Sequence, residues 1–455
     1  MKFLPKSIPE IINFLLFSLP LAFILGNFII NLIIFFVCVL GIIHYKYKLL
    51  DFKKNTPLIL IAGFFVVLFL STLIEVIVSN GNGYLLKSIL FLRYLIFLMV
   101  IRCLVINAEI NFKKILLVCL FFSTFVAIDI IYQYIVGVNF FGFKADYLFS
   151  GVFGDEYVAG GYIQRFAVLG CFCIPLLFFK KQKSSYLLLF LILSICFVGT
   201  LFTGNRMPTI MFVFFLFLMP IIFSLRKINY KIISFAILIV GMFGIILSTN
   251  ENLKKRYKNL QSFMPRISVI MKELNREYPE FEKYKGTGKY FYHTEEYKKM
   301  DQSIILRLGN HHNTLYITSI DLFTDNPILG RGIKSFRYTC YEKNYLPNRM
   351  CENHPHHFYL EILNDTGIIG FGLIVLAVLL LFHKNIQKYF IRSNKNISFL
   401  DLFFYAIFLS LIIELFPFRS NGSFFSTWNS SFIFLLIGIF SGLSDIKSKQ
   451  KLNRN

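Results

Sequence analysis

The chain is poor in charged residues for its length. Only 16% of its 455 residues are Asp, Glu, Lys or Arg, whereas 56% are hydrophobic and 56 residues are Phe. A soluble domain does not carry repeated apolar runs of about 20 residues, which are typical of membrane-spanning helices. The shortage of charge therefore excludes a soluble globular protein. It predicts an all-α polytopic membrane protein embedded in a lipid bilayer.

The spacings that hold catalytic metals are also absent. The sequence has no C-x₂-C or H-E-x-x-H motif for zinc, and no Asp-x-Asp pair to bind a sugar nucleotide through a divalent cation. We therefore expect no metal and no cofactor. The formal net charge is +22, but no nucleic-acid-binding motif accompanies it, so we expect no nucleic-acid partner.

The apolar runs predict about twelve membrane-spanning helices. The predicted spans lie at 8–26, 28–44, 57–79, 84–105, 112–136, 161–180, 186–203, 206–224, 231–248, 357–383, 398–417 and 428–443. Lysines and arginines cluster on connections that lie on the same side as both termini, and the positive-inside rule makes that side cytoplasmic. The chain then divides into nine helices at 1–248, a large periplasmic loop at 249–356, and three helices with a cytoplasmic tail at 357–455.

Several arginines fall inside predicted spans or directly beside them. Arg165, Arg206 and Arg419 lie toward the outer ends of their helices, and Arg93 lies nearer mid-depth. Charged groups inside a membrane are costly, so they mark either functional sites or structural ion pairs. Asn205 and Arg206 begin a predicted helix, where free N–H groups and a guanidinium together favour an anion. The one-sided cluster predicts an outward-facing polar cavity suited to phosphate, although each arginine alone also fits a structural ion pair.

Two of the eight cysteines, Cys340 and Cys351, lie in the predicted outer loop. On an oxidising face such as a bacterial periplasm, we expect them to form a disulfide that closes a short loop just before a cluster of histidines. Two free thiols are the alternative. A zinc site made from these cysteines and the histidines is a third possibility, which the absent zinc spacings disfavour.

The most distinctive stretch contains three histidines, at the point where the outer loop meets a predicted helix. Four short motifs occur in order along the chain: Thr-Gly-Asn-Arg at 203–206, Arg307 before a helix that ends in Asn-Pro-Ile-Leu-Gly-x-Gly at 326–332, His-Pro-His-His-Phe-Tyr-Leu-Glu at 354–361, and Thr-Gly-Ile-Ile-Gly at 366–370. These motifs resemble the O-antigen ligase/polymerase superfamily of bacterial inner-membrane glycosyltransferases, over residues 150–370. The family usually has Asn where this chain has His357.

The resemblance implies a fold similar to that of the membrane glycosyltransferases of the C type, with a large periplasmic loop over a cavity. It also implies an enzyme that takes a glycan from a polyprenyl-diphosphate carrier and transfers it to a sugar hydroxyl without a metal. The acceptor is the lipid A core in a ligase and a second lipid-linked glycan in a polymerase. The sequence does not choose between them. The implied location is the bacterial inner membrane, with the active site on the periplasmic face.

The resemblance also implies roles for individual arginines. Arg206 and Arg307 match arginines that hold the diphosphate of the donor, and Arg165 and Arg93 are further candidates for that task. A glycosyl diphosphate already has a good leaving group, so the donor needs stabilisation of negative charge more than a strong acid. Guanidinium groups supply that stabilisation.

The other step of the implied reaction, removal of the proton from the attacking hydroxyl, is assigned to the histidine cluster. His356 matches the essential histidine of the family's long outer loop, and an imidazole can remove the proton of an attacking hydroxyl near neutral pH. We predict His356 as the general base, with His354, His357 and Glu361 in supporting positions. The alternative for His356 is a structural histidine at a helix start.

Two other functions fit parts of the pattern. A glycan transporter or lipid flippase without transferase activity would also need an arginine-lined cavity, but along its whole path rather than at one end. A non-catalytic membrane scaffold would use the outer loop to bind a partner. Zinc-dependent hydrolysis is a weaker third alternative, because the sequence lacks the zinc spacings.

Overall fold

A computed structural model describes residues 7–52, 55–79, 84–145, 148–177, 182–224, 230–257, 267–285, 311–391 and 399–446. Within these ranges the chain folds into helices and forms no β-strand. Seven of the described helices are long and apolar enough to cross a membrane. They are Ile8–Leu25, Asn27–Leu50, Thr56–Val78, Leu85–Ile106, Phe112–Val136, Phe358–Ile391 and Thr427–Asp445. The all-α membrane class is thereby confirmed, whereas the count of twelve spans and the three-part domain division stay predictions.

The first third of the chain supplies six helices that match the first five predicted spans. They are α1 (Ile8–Leu25), α2 (Asn27–Tyr45), α3 (Thr56–Val78), α4 (Leu85–Phe91), α5 (Arg93–Ile106) and α6 (Phe112–Val136). The predicted fourth span is thus two helices that meet at Leu92. Asn55 and Asn111 cap α3 and α6, since their side-chain oxygens accept the backbone N–H groups of Leu58 and Lys114.

The middle of the chain has shorter helices. They are α7 (Ala159–Gly170), α8 (Cys173–Leu177), α9 (Gln182–Phe202), α10 (Arg206–Ser224) and α11 (Tyr230–Thr249). The single span predicted at 161–180 is therefore interrupted after Gly170. Pro175 explains the interruption, because proline cannot donate to the carbonyl of Cys171 and would clash with it in a continuous helix.

The predicted outer loop also contains helices where the structure describes it. They are α12 (Glu251–Tyr257), α13 (Ile267–Leu274), α14 (His311–Asp325) and α15 (Phe336–Thr339), with a 3₁₀ helix at Pro279–Tyr284. Ile270 of α13 packs against Tyr316 and Ile317 of α14, which gives this segment a small hydrophobic core of its own. Such packing makes the segment a folded layer against the membrane helices.

Three helices complete the chain: α16 (Phe358–Ile386), α17 (Phe399–Glu414) and α18 (Thr427–Asp445). Aromatic rings join α18 to the first half of the chain. The ring of Tyr94 in α5 lies 5.6 Å from that of Phe434 in α18 and 5.0 Å from that of Phe91 in α4. Buried aromatic pairs of this kind contribute about 0.5–1.5 kcal/mol each beyond the apolar area they bury.

The two ends of the helix bundle carry different polar groups. At one end Arg102 of α5 forms an ion pair with Asp445 of α18, with 2.8 Å between nitrogen and oxygen. The connections at the other end include residues 148–158, 204–205, 334–356 and 419–426, and all of them border one polar cavity. This grouping agrees with the alternation of helix direction inferred from the sequence. Which end faces the cytoplasm stays a prediction.

Candidate active site

The helices α12–α15 of the predicted outer loop are called the outer layer below. A glycine-rich joint, formed by residues 326–332 and 364–370, attaches this outer layer to α16. The backbone N–H groups of Arg331 and Gly332 donate to the carbonyls of Asn364 and Asp365, at 2.8 and 2.9 Å. The N–H of Ile368 donates back to the carbonyl of Pro327 at 2.8 Å. These bonds pair the motif at 326–332 with residues 364–368, where the motif at 366–370 begins. Main-chain atoms make the joint, so the sequence there is restricted by backbone geometry.

Glycine is required in this joint for two reasons. Gly330 and Gly367 both have positive φ values, +69° and +61°, which other residues rarely adopt. A Cβ atom on Gly330 would lie 2.5 Å from the carbonyl oxygen of Asn364, and one on Gly367 would collide with the carbonyl of Ile328. Gly367 also interrupts α16 with non-helical backbone angles. The kink frees the helix carbonyls that bind Arg331 and Gly332.

Asp365 extends the joint toward the cavity. Its buried carboxylate accepts the N–H groups of Lys334 and Ser335, at 2.5 and 3.0 Å, and the hydroxyl of Ser335 at 2.8 Å. Lys334 adopts φ +58° in this arrangement. Three charge-assisted hydrogen bonds on one carboxylate hold the backbone of 334–335 in a fixed position.

The histidine segment follows immediately before α16. His357 caps the helix, since its Nδ1 accepts the N–H of Leu360 at 3.3 Å, while its Nε2 lies 2.8 Å from the carbonyl oxygen of Pro417. Burial lowers the pKa of His357, and the hydrogen bond to Pro417 opposes that effect. Both ring nitrogens are thus occupied by the backbone. His357 supports the helix start and is not available for proton transfer.

His356 is held from several sides. Its φ is +54°, an uncommon value for a residue other than glycine. Its N–H donates to Nδ1 of His354 at 3.1 Å, and its carbonyl accepts the N–H of Asn421 at 2.9 Å. Its Nε2 lies 3.0 Å from a carboxylate oxygen of Glu352. A strained conformation held by so many contacts is typical of functional sites.

His354 is neutral, and in this form it accepts a hydrogen bond from the backbone of His356. Burial and the neighbouring His356 lower the pKa of His354 to about 3. A neutral imidazole keeps a lone pair on Nδ1, which is the atom that receives the His356 N–H. The rings of the two histidines lie 4.1 Å apart. His354 therefore fixes the backbone of its neighbour.

His356 and the cationic groups share one cavity of about 790 Å³. Its walls carry six side chains with a permanent or near-permanent positive charge: Arg165, Arg206, Lys334, Arg337, Arg419 and Arg256. Among the residues that the structure describes, Glu156 is the one carboxylate in the lining. The walls also carry His312, His354 and His356. The excess of positive charge makes the cavity suited to an anion.

Arg206 lines the cavity at the first residue of α10. The adjoining turn is fixed by Asn205, whose side-chain nitrogen donates to the carbonyl of Tyr157 at 2.9 Å. Arg256 of α12 lies against the same turn, with its Nε donating to the carbonyl of Gly204 at 3.0 Å. The structure therefore adds Arg256 to the arginine that the sequence indicated.

Arg165 and Arg419 bind the same carboxylate. Nε of Arg165 lies 3.1 Å from Oε2 of Glu414, and Nη1 of Arg419 lies 2.8 Å from the same oxygen. Arg165 also contacts Asn429 Oδ1 at 2.5 Å. All three charged groups are buried, and together they carry one net positive charge. Arg165 thus borders the cavity as part of an ion triad.

The structure does not bring every predicted residue to the cavity. The guanidinium of Arg93 binds Asn31 Oδ1 at 2.9 Å, and Arg93 is not part of the cavity lining. The carboxylate of Glu361 accepts the hydroxyl of Ser423 at 2.6 Å and the N–H of Phe424 at 2.5 Å, so it joins α16 to the turn before α18. Arg307 lies outside the described residues.

A disulfide joins Cys340 and Cys351, whose Cα atoms are 5.2 Å apart. It connects the end of α15 to the histidine segment. No group of three or more His, Cys, Asp or Glu side chains suited to a metal occurs in the part of the chain that the structure describes.

Four residues near His356 or the cavity were not indicated by the sequence: Glu352, Arg256, Lys334 and Arg337. They lie in the outer layer, whose sequence has no regular hydrophobic periodicity from which the direction of a side chain could be predicted. The sequence did contain a signal for Glu352, because a carboxylate four residues before a histidine is close enough along the chain to contact it. The distances that matter here arise from the tertiary packing of the loop.

A family of known proteins matches part of the chain. The sequence model of the family described as O-antigen ligase matches residues 188–375. That range includes Arg206, the glycine-rich joint and the histidine segment. No curated protein matches the chain. The family match suggests a glycosyltransferase-like enzyme, and it confirms that this part of the chain resembles the O-antigen ligase/polymerase superfamily.

Proposed function

We propose that the protein is a metal-independent glycosyltransferase of the bacterial inner membrane. It moves a glycan from polyprenyl diphosphate to a sugar hydroxyl at the periplasmic face. The acceptor is the lipid A core or a second lipid-linked glycan. One observation carries the proposal: His356 lines the same cavity as Arg206 and other cationic side chains, within the stretch that matches the family.

The donor's diphosphate is assigned to the wall that carries Arg206 and Arg256. As the bond between the anomeric carbon and the diphosphate oxygen breaks, negative charge collects on the leaving diphosphate. Guanidinium groups in a water-poor site stabilise that charge and hold it in a defined orientation. Arg307 is assigned to the same task on the strength of the family motif.

The acceptor is assigned to the side of His356. Glu352 accepts the hydrogen of Nε2, which leaves Nδ1 unprotonated and able to act as the base. The acceptor oxygen forms its bond to the anomeric carbon while its proton passes to Nδ1 of His356. One carbon–oxygen bond forms and one breaks, and the diphosphate leaves with the electron pair.

A second, apolar cavity supports a lipid-linked donor. It has a volume of about 320 Å³ and lies between α16, α17 and α18. Its walls include Pro417 and Phe424, which adjoin Arg419 and Ser423 of the polar cavity in sequence. We assign it to part of the polyprenyl chain, because its almost entirely apolar lining can pack against a hydrocarbon chain without leaving polar groups unpaired.

The proposal is tested by replacing His356 with Asn. Asparagine adopts positive φ more readily than most residues, so the backbone is retained while the base is lost. We expect transfer by purified protein in lipid nanodiscs, supplied with a polyprenyl-diphosphate glycan and an acceptor, to fall by about 10²–10⁴-fold. The matched control is His383→Asn, at the other end of α16, which should transfer like the wild type.

Two outcomes would contradict the proposal. One is wild-type transfer by the His356→Asn protein. The other is movement of the lipid-linked glycan across a membrane by the wild type with no new glycosidic bond, which would make the protein a transporter.

A further inference from the structure

We propose that Lys334 and Arg337 form a second anion site in the cavity, which holds a negatively charged group of the acceptor near its attacking hydroxyl. This inference rests on the proposed transferase function. It concerns the chemistry of the acceptor, which neither the family match nor the histidine segment specifies.

The first argument is that, among the described residues, no carboxylate lies within ion-pair distance of these two cations, although Glu361 and Asp365 act on Lys334 from farther away. Among the described residues, no ion pair or side-chain hydrogen bond joins Lys334 or Arg337 to another residue, and Nε of Arg337 is buried without a hydrogen-bond partner. Two cations without an anion inside a half-buried cavity are costly. Binding an anion removes that cost, so the pair is poised for a charged ligand.

Other arginines of the same layer behave differently. Arg331 lies 2.7 Å from a carboxylate oxygen of Glu342, and Arg349 lies 2.8 Å from one of Asp321. Even the cavity arginines Arg165 and Arg419 share Glu414. The carboxylates nearest to Lys334 are engaged elsewhere, because Asp365 binds backbone N–H groups and Glu361 binds Ser423. Within the part of the chain that the structure describes, Lys334 and Arg337 thus differ from these four arginines, each of which forms an ion pair.

The second argument is their position relative to the base. His354 feels the charges of both Lys334 and Arg337, and its ring lies 4.1 Å from that of His356. The charges of Arg206 and Arg256 act instead on Tyr257, on the α10–α12 wall. The cavity therefore holds two cationic groups, and the base belongs with Lys334 and Arg337.

Displacement geometry assigns the two groups to different substrates. In a direct displacement the attacking oxygen and the leaving group occupy opposite faces of the sugar ring. The base must contact the attacking hydroxyl, so the cations beside His356 face the acceptor. The leaving diphosphate then lies on the other side, toward Arg206 and Arg256.

The third argument is that the site is preformed. Asp365 binds the N–H groups of Lys334 and Ser335, and the disulfide from Cys340 to Cys351 ties α15 to the histidine segment. A fixed lysine and a planar guanidinium suit a phosphate ester or a uronic carboxylate, which share the chemistry of a small oxyanion on a sugar.

Two probes test the site in the full-length protein in nanodiscs. Titration calorimetry would measure binding of glucose 6-phosphate, glucuronic acid and glucose, each in saturating inorganic pyrophosphate that fills the diphosphate site. We expect at least one charged sugar to bind and glucose not to bind. The Lys334→Gln/Arg337→Gln protein should bind the charged sugar at least tenfold more weakly. Which charged sugar binds distinguishes phosphate from carboxylate.

Three variants serve as controls. Lys272→Gln removes an exposed lysine from the same layer and should bind like the wild type. Arg206→Gln should weaken pyrophosphate but not the charged sugar. Arg337→Lys keeps the charge and loses the planar fork, so its affinity should lie between those of the wild type and the double variant. Retained pyrophosphate binding shows that the variants at Lys272, Lys334 and Arg337 are folded, and retained binding of the charged sugar shows it for Arg206→Gln.

The inference is overturned if pyrophosphate displaces the charged sugar, if the double variant binds it normally, or if neither charged sugar binds the wild type. Any of these results would leave glycan transfer intact. Conversely, undiminished transfer by His356→Asn would remove the proposed function without changing these binding measurements.

Discussion

The glycine-rich joint and the histidine segment lie close together in the chain, but they make different kinds of contact. The joint binds through main-chain atoms, and the histidine segment presents side chains. In the joint, the N–H groups of Arg331 and Gly332 bind helix carbonyls, and the side chain of Arg331 points to Glu342. In the histidine segment, the rings of His354 and His356 border the cavity. Both stretches resemble family motifs, but one positions the outer layer and the other borders the polar cavity.

The difference teaches that a motif must be judged by the atoms that make its contacts. Where main-chain atoms bind and a Cβ would collide, the motif records a requirement of folding. Where side-chain nitrogen atoms face a cavity, it records a requirement of chemistry. Substitutions in the joint should therefore change stability, and substitutions in the histidine segment should change rate.

The largest effect is expected for Gly367→Ala. A Cβ there would collide with the carbonyl of Ile328, and φ is +61°, so the folded state should lose more than about 3 kcal/mol. Thermal unfolding in detergent would measure it. Gly372→Ala is the control, because nothing lies within 4 Å of its added Cβ. Equal stability of the two proteins would show that the joint is not structural.

A smaller effect is expected when the disulfide is removed. The Cys340→Ser/Cys351→Ser protein should lose about 2–3 kcal/mol of unfolding free energy, since the bond closes a short loop. If the joint alone positions the histidine segment, transfer at low temperature should persist. The wild-type protein treated with a reductant should show the same loss of unfolding free energy and the same retained transfer. Complete loss of transfer by a protein that remains folded would mean that the disulfide, not the joint, sets the position of His356.

The smallest effect is expected for Glu352→Gln. Glutamine can still contact Nε2 of His356, but it no longer stabilises the imidazolium that forms when the acceptor proton is taken. Transfer should fall by about tenfold, with an unchanged unfolding temperature. Glu342→Gln removes a carboxylate outside the cavity and should leave transfer unchanged. A loss of stability with no change in transfer would make Glu352 structural.

Much of the membrane fold could be predicted from the sequence. Apolar runs mark helices because each span must satisfy its own backbone in lipid. Boundaries near Leu92 and Gly170 were missed, although Pro175 carried a signal for the second. The alternation of spans also indicated that Arg165, Arg206 and His356 belong to one end of the bundle, and the structure places all three around one cavity.

The rest of the site could not be predicted, because it depends on side-chain direction. Arg93 lies in an apolar span like Arg165, but its turn of the helix faces Asn31 instead of the cavity. Arg337 looks like any surface arginine in the sequence. Only the packing of α15 beside the histidine segment reveals that none of the described carboxylates lies within ion-pair distance of Arg337. Hydrophobic periodicity predicts how deep a residue lies in the membrane. It does not predict which charged side chains of different segments come into contact.

The hydrogen bond from the N–H of Asn421 to the carbonyl of His356 ties the histidine segment to the turn at residues 419–423. Arg419 and Asn421 of that turn line the same cavity as His356. A movement of the turn would therefore break this bond, release the positive φ of His356 and change the cavity wall at the same time.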